Sequence, residues 1–114
     1  MRVQELAKLY FELSNQKKLD EISSLIDGQA TYSSDNTGLH FGRTAIMQMM
    51  TKFFDAFSEL AWQIDSIREL DVNIVEIQFS FQGKKKSGEE LAKQGIERIV
   101  VVDGFLRHIE VRNP

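Results

Sequence analysis

Four polar side chains of this 114-residue chain have types and positions that could support chemistry. Tyr10 lies on the apolar stripe of the first predicted helix, so it is either a core tyrosine with one hydrogen-bond partner or a donor in a pocket. Asp35 and His40 lie in the polar segment DNTGLHFG, where both could act as acid or base, although an exposed loop histidine without a role is the commoner case. Arg98 lies in the middle of a predicted strand. Together these groups suit a pocket that handles a small molecule.

The face on which Arg98 lies depends on the last predicted hairpin. Asp103–Gly104 between two apolar runs favours a two-residue type I′ turn, which would pair Val102 with Phe105 and Arg98 with Ile109. One face of the hairpin would then hold Ile96, Arg98, Val100, Val102, Phe105, Arg107, Ile109 and Val111. The other face would hold Glu97, Ile99, Val101, Leu106, His108, Glu110 and Arg112. We expect the first face to point inward because it is more apolar.

An inward Arg98 would need an anionic partner, because an unpaired guanidinium is costly to bury. The partner is either an internal carboxylate, with Asp35 and Asp65 as the candidates, or a carboxylate or enolate of a ligand. The same register leaves His108 on the outer face, in solvent or at a subunit contact.

Composition and charge exclude several classes of function. The net charge of −3 gives no general basic surface for nucleic acid. The chain has no cysteine, no His/Asp/Glu cluster with metal-ligand spacing and no glycine-rich phosphate loop, so we expect no metal and no cofactor. Charges interrupt the first apolar residues, which argues against a signal peptide. No apolar run approaches the ~20 residues that span a membrane, so we expect a cytoplasmic protein.

Hydrophobic periodicity predicts one α+β domain over residues 1–114. Helical spacing marks a first helix from Val3 to Leu13 and a short second one from Leu19 to Ile26. A third helix, capped by Thr44, carries a wide stripe of Ile, Met and Phe. ATYSS suits a short strand, DNTGLHFG a loop, and everything after Leu60 a four-strand antiparallel meander, with strict alternation in NIVEIQFSFQG.

This order of elements resembles the nuclear transport factor 2-like (SnoaL-like) superfamily over essentially the whole chain. The segments that carry the resemblance are FELSNQKKLDEISSLI, ATYSS, FGRTAI and VVVDGFLRHIEV. The resemblance implies a cystatin-like cone, in which a curved antiparallel sheet wraps around about three N-terminal helices and leaves a ligand pocket at its open end. It also implies homodimers through the outer sheet face, where we expect Ile99, Val101 and Leu106 to form the contact.

Within that superfamily, the first segments look most like the steroid Δ-isomerases. Aligned through LDEI and AT, Tyr10 falls on the tyrosine that donates to the developing oxyanion. The position of the base falls on Ser34, with Asp35 next to it, and that of the protonated acid falls on Ile96, with Glu97 next to it. A serine cannot replace a carboxylate base, and a shift of one residue would turn Glu97 to the other face. We therefore expect no true ketosteroid isomerase activity.

Two functions fit these observations. The first is a pocket protein that binds a small apolar or weakly anionic ligand with a carbonyl or carboxylate group and, if it is an enzyme, isomerises, cyclises or dehydrates it. The catalytic candidates are Tyr10, Asp35 and His40, and the expected ligand contacts are Ser34, Phe54, Trp62, Phe79 and Arg98. The alternative is a non-catalytic homodimeric binding or interaction module whose cone is filled by Phe and Met side chains.

Overall fold

The computed structural model describes residues 1–114, which form three helices followed by most of a six-stranded sheet. The helices are α1 (Val3–Asn15), α2 (Leu19–Leu25) and α3 (Arg43–Asp55). The strands are β1 (Ile26–Ser34), β2 (Gly38–Phe41), β3 (Phe57–Asp71), β4 (Ile74–Lys85), β5 (Glu90–Val102) and β6 (Phe105–Arg112). This order confirms the predicted α+β class and the four-strand meander. None of the helices combines the length and apolarity needed to cross a bilayer.

The sheet is mixed rather than wholly antiparallel as predicted. Its strand order is β2-β1-β6-β5-β4-β3, and β1 runs parallel to β6 while the remaining neighbours are antiparallel. The segment predicted as a loop contains the short edge strand β2, in which His40 pairs with Tyr32 of β1. Four residues among turn formers are too few for a readable period, so only the pairing with β1 defines this strand.

The third helix begins without the predicted cap. Gly42, rather than Thr44, is the residue before the first helical turn, and no side chain caps this end. Its φ of 87° lies in the left-handed region that favours glycine, and its amide donates to the Ala30 carbonyl at 2.7 Å. The glycine therefore makes the sharp entry into α3 and ties the start of the helix to β1.

The helices cover the inner face of the sheet and enclose one hydrophobic core of 22 buried residues. The stripe predicted on α1, which includes Val3, Leu6 and Tyr10, is buried there. Asn15, at the end of α1, behaves as a strand partner of Trp62: its amide donates to the Trp62 carbonyl at 2.9 Å and its oxygen accepts from the Trp62 amide at 2.7 Å. These two bonds fix the end of α1 against β3, beside the site described below.

The last hairpin has the predicted turn but not the predicted register. Asp103 and Gly104 have φ values of 53° and 82°, as a type I′ turn requires, and Val102 pairs with Phe105. One step further, Val101 pairs with Leu106, yet Val100 pairs with His108. The residue left between them, at position 107, forms a β-bulge, and the bulge turns the rest of β6 over.

The bulge reverses most of the predicted faces. The residues of this hairpin that are buried on the inner face are Glu97, Ile99, Val101, Leu106, Ile109 and Val111. Ile109 and Val111 were therefore placed correctly, whereas Ile96, Arg98, Val100, Val102, Phe105 and Arg107 were wrongly placed inward. Ile99, Val101 and Leu106 are core residues, so they cannot form the dimer contact expected of them. His108 lies on the outer face, as predicted.

Arg98 accordingly lies outside the cone, and its predicted inward position is wrong. Its Nε donates to Glu76 Oε2 at 3.0 Å, and its Nη1 lies 3.7 Å from Glu110 Oε2. Neither Asp35 nor Asp65 is its partner. Because half of the side chain is exposed, at 52 %, Arg98 is an outer-surface residue and no part of the cavity.

Candidate functional site

A cavity of about 110 Å³ lies between the end of α1, α3 and the inner face of the sheet. One side, which we call the aromatic wall, consists of Phe53, Phe54, Phe57, Trp62, Phe79 and Phe81. The ring centroids of Phe53 and Phe57 are 5.0 Å apart, as are those of Trp62 and Phe81, so the rings pack against one another. The structure thus brings Phe54, Trp62 and Phe79, three predicted ligand contacts, into one apolar surface.

Gly95 sets the position of Phe79 in this wall. The two residues pair across β5 and β4, and a Cβ atom added to Gly95 would overlap the Phe79 ring. The ring therefore lies directly over the backbone of β5, where only glycine leaves room for it. As a result, the ring of Phe79 lies over Gly95 and forms part of the cavity lining.

Polar residues of the lining form what we call the polar wall, which includes Tyr10, Tyr32, Ser34, Thr37 and Glu97. On the sheet, Ser34 pairs with Val111, and Val111 pairs with Glu97, so these three residues form one row across β1, β6 and β5. The Ser34 hydroxyl accepts hydrogen bonds from the amides of Asn36 and Thr37, at 3.0 and 3.4 Å. Its own proton remains available for donation.

Glu97 is the least expected member of the polar wall. Its side chain is on the inner face and only 5 % exposed, and its Oε2 has no hydrogen-bond partner within the protein. Burial raises the pKa of Glu97 to about 8, because the charged form loses hydration that nothing in the cavity replaces. At neutral pH the group is therefore a carboxylic acid, which can donate a hydrogen bond. The hydroxyl of Thr37 is a second buried group of this wall without a partner.

The two tyrosines are hydrogen-bond donors under the same conditions. Burial raises the pKa of Tyr10 and of Tyr32 above the usual tyrosine value, and the negative charge that Glu97 can carry raises both further. Their hydroxyl groups hence stay protonated across the physiological range. A neutral carboxyl group and tyrosine hydroxyls facing an apolar cavity can hold a carbonyl oxygen and stabilise charge that develops on it.

The other predicted catalytic candidates lie outside the cavity lining. Asp35 accepts a hydrogen bond from the Asn113 amide at 2.9 Å and lies 3.9 Å from Arg112. His40 donates from Nε2 to the Thr37 carbonyl at 2.8 Å, and its ring meets the Tyr32 ring edge-on at 6.1 Å. His40 therefore supports two residues of the polar wall rather than facing a ligand.

Sequence reasoning missed Glu97, Tyr32 and Thr37. Glu97 is the one acidic residue within the apolar run from Ile96 to Val102, which was a usable signal, but the assumed register turned it outward. The resemblance to the steroid isomerases put the position of the protonated acid at Ile96. In the structure the acidic residue of the cavity is Glu97, one position further along β5. No group of three or more His, Cys, Asp or Glu residues is arranged to hold a metal ion.

Comparison with known proteins agrees with this fold. Residues 7–109 match the family model described as a SnoaL-like domain, whereas no curated protein matches the chain. This match confirms the predicted SnoaL-like resemblance, and the solved structures that follow extend it to proteins described as NTF2-like and cystatin-fold. The steroid isomerase branch stays a prediction.

Three of the similar solved structures cover nearly the whole chain. A proposed polyketide cyclase from Xanthomonas campestris pv. campestris is 15% identical with a TM-score of 0.84, and the alignment covers 99% of this chain and 90% of that one. An NTF2-like protein of unknown function from Exiguobacterium is 17% identical, covering 96% and 98%, with a TM-score of 0.84. A cystatin-fold protein from Novosphingobium aromaticivorans is 14% identical, covering 97% of each chain, with a TM-score of 0.86. At such identities the likeness concerns the fold alone.

Proposed function

We infer the function from two premises: this chain belongs to the SnoaL-like domain family, and its cavity joins an apolar aromatic wall to a wall of hydrogen-bond donors. We propose that it binds a small, largely apolar ligand through a carbonyl or carboxylate oxygen. Tyr10 and Glu97 donate to that oxygen, and the aromatic wall holds the body of the ligand. One solved relative in fold is described as a proposed polyketide cyclase, which fits a ligand of this kind.

The observation that carries this proposal is the unpartnered carboxyl oxygen of Glu97. A buried polar group without a partner costs about 1–3 kcal/mol, and the few that persist in folded proteins call for a reason. Here the group faces a cavity together with the Tyr10 hydroxyl. A ligand oxygen would supply the missing partner.

We further propose that any isomerisation, cyclisation or dehydration catalysed here proceeds through the same oxygen. Donors at a carbonyl oxygen stabilise the enolate that forms when a proton leaves the neighbouring carbon. Glu97 is the only carboxyl group that lines the cavity. It would pass its proton to the carbonyl oxygen, and the carboxylate so formed would accept the proton from the neighbouring carbon, which gives the enol and restores the acid. Ser34 cannot supply a carboxylate, so we expect no conversion of a Δ5-3-ketosteroid.

Acetophenone is a suitable probe, because it combines one ring with one carbonyl oxygen. Trp62 is the only tryptophan of the chain and lies in the aromatic wall, so its fluorescence should report binding directly. We expect the Glu97→Leu variant to bind acetophenone about tenfold more weakly, as the loss of one good hydrogen bond implies. The Arg98→Met variant, altered on the outer face, should bind like the wild type. No fluorescence response, or equal affinity in Glu97→Leu, would contradict the proposal.

A non-catalytic binding module of the same fold is the second candidate. Hydrogen exchange at the methyl group of acetophenone in D₂O, followed by NMR, distinguishes an enzyme from a binding module. Protein-dependent exchange that is lost in Glu97→Gln would support enolisation in the cavity. Binding without any acceleration of exchange would support the binding module.

The homodimer expected from the sequence remains a proposal, now with other residues. Four large apolar residues are exposed on the outer side of the hairpin and edge strand: Leu39, Phe41, Val102 and Phe105. A second copy of the chain is the partner we propose for these two pairs, Leu39 with Phe41 on β2 and Val102 with Phe105 beside the last turn, because covering them would remove large apolar side chains from water. Sedimentation should give twice the 13.1 kDa mass of one chain, and Phe41→Lys should shift it toward the monomer. A monomer at all concentrations would refute this. The cytoplasmic location also stays a prediction.

A further inference from the structure

Lys93 stands out as the charged residue at the mouth of the cavity. The inner face of β5 carries Leu91, Lys93, Gly95 and Glu97 in alternation, and Lys93 lines the cavity while its side chain is exposed. The lysines that form ion pairs are Lys18 and Lys85, so Lys93 has no carboxylate partner. Its ammonium group is therefore free to meet an anion that enters the cavity.

The lining of the cavity leaves this charge without compensation. Its only ionisable residues are Tyr10, Tyr32, Lys93 and Glu97. The tyrosines and the buried carboxyl group are neutral at physiological pH, so the ammonium group gives the cavity a net positive charge in a chain whose own net charge is −3. An anionic group of a ligand would find its only attractive charge at Lys93.

The spacing along β5 sets the distance between the two polar residues, Lys93 and Glu97. Lys93 and Glu97 are four residues apart on one face of a strand, which separates their backbones by about 13 Å. Between them lies Gly95, over which the ring of Phe79 is packed. A flat ligand stacked on Phe79 would therefore have the carboxyl group of Glu97 near one edge and the ammonium group of Lys93 near the other.

The size of the cavity limits the apolar body of such a ligand. Its volume of about 110 Å³ is comparable to the ~150 Å³ of an engineered cavity that holds one benzene ring. A single ring fills this volume, and a short polar substituent at each end would extend from it toward Glu97 and, at the exposed mouth, toward Lys93. A fused four-ring ligand does not fit it.

We propose that the ligand is a monocyclic oxo or hydroxy carboxylic acid, whose oxo or hydroxyl oxygen meets Tyr10 and Glu97 and whose carboxylate is bound by Lys93. This assignment rests on the proposed function and makes Lys93 the residue that selects anionic ligands. Because Lys93 is exposed, its contribution has the size of a surface ion pair and decreases with added salt.

Three probes that share one ketone test the assignment by calorimetry: acetophenone, 4-acetylbenzoate and methyl 4-acetylbenzoate. We expect wild-type protein to bind the carboxylate about fivefold more tightly than its methyl ester, as one exposed ion pair implies. In Lys93→Met the two should bind equally, while the affinity for acetophenone stays unchanged. Lys84→Met, which alters a lysine on the outer face of β4, should keep the full preference.

The outcomes distinguish a failure of the role of Lys93 from a failure of the proposed function on which that role rests. Equal binding of acid and ester by the wild type, or a preference that survives in Lys93→Met, would overturn the role of Lys93 and leave the ketone site intact. A uniform loss for all three probes in Lys93→Met would also overturn it, since that result indicates a structural role. Failure of the wild type to bind any of the three would overturn the proposed function and this assignment with it.

Discussion

Two glutamates on neighbouring strands, Glu76 and Glu97, show how the face of a sheet decides the chemistry of a side chain. Glu76 lies on the outer face and accepts hydrogen bonds from Arg98 at 3.0 Å and Arg68 at 2.8 Å. Those bonds, from Arg98 first, lower its pKa below the usual value. Glu97 lies one position away on the inner face, without a partner, and burial raises its pKa to about 8.

The difference separates a structural acid from one available to a ligand. On the outer face, charges alternate across four strands in the order Glu110, Arg98, Glu76 and Arg68. Each carboxylate there is already satisfied within the protein. Inside the cone no arginine contacts Glu97, so its carboxyl group is free to form a hydrogen bond with a ligand in the cavity. Groups that break the usual rules of satisfaction are expected at functional sites.

The largest expected effect is on the pH dependence of stability, through Glu97→Gln. Folded protein keeps the Glu97 proton up to about pH 8, whereas the unfolded chain releases it near 4.5. Between these values the folded state binds more protons, so its free energy of unfolding falls as pH rises, by a few kcal/mol in total. Glutamine cannot ionise, so the variant should lack this fall and exceed wild-type stability at pH 8. Urea unfolding at pH 5 and pH 8 measures the free energy of unfolding of both proteins. An equal change between the two pH values in wild type and variant would contradict a buried neutral acid.

The affinity of the protein for acetophenone should fall as the pH rises above 8. In the proposed binding mode acetophenone accepts a hydrogen bond from protonated Glu97, so its dissociation constant should be flat below pH 8 and rise about tenfold per pH unit above it. The other groups on the polar wall, Tyr10 and Tyr32, stay protonated there because their pKa values are raised. Glu97→Gln should bind acetophenone independently of pH. A wild-type affinity that is constant up to pH 9.5 would rule out Glu97 as the donor.

Removal of the Tyr10 hydroxyl should have a smaller effect, confined to binding. Tyr10→Phe keeps the ring, which is buried in the core, and deletes one donor to the ligand oxygen. We expect acetophenone to bind about fivefold more weakly, the value of one neutral hydrogen bond, with little change in the urea midpoint. A loss of stability without a loss of affinity would return Tyr10 to the role of a core residue.

The smallest effect should come from the matched change on the outer face, Glu76→Gln. The folded-state pKa of Glu76 is lowered, so its stabilising contribution is present above the usual glutamate pKa and is lost as pH falls through the folded value. The variant should therefore lose a little stability at neutral pH, less at high salt, and match the wild type in strong acid. A change in acetophenone affinity would contradict the separation of the two faces.

Periodicity in the sequence was sufficient to predict the α+β class and the four-strand meander. The helical stripes, the strict alternation of β4 and the Asp103–Gly104 turn all lie in short stretches of sequence, and Phe54, Trp62 and Phe79, predicted as ligand contacts, lie in the cavity lining. The place of Glu97 in the polar wall did not follow, because it depends on one extra residue, Arg107, in β6. Such a bulge leaves no local signature, yet it exchanges Arg98 for Glu97 on the inner face.

Titration of the Glu97 carboxyl carbon by NMR, with Glu97→Gln to assign its resonance, tests directly whether Glu97 is a neutral hydrogen-bond donor in the cavity. We expect Glu97 to be protonated at pH 7 and to ionise near pH 8, and its pKa to rise when acetophenone is bound, since the ligand oxygen favours the protonated acid. A Glu97 carboxyl that is already ionised at pH 6, or whose titration is the same with and without acetophenone, would contradict this role.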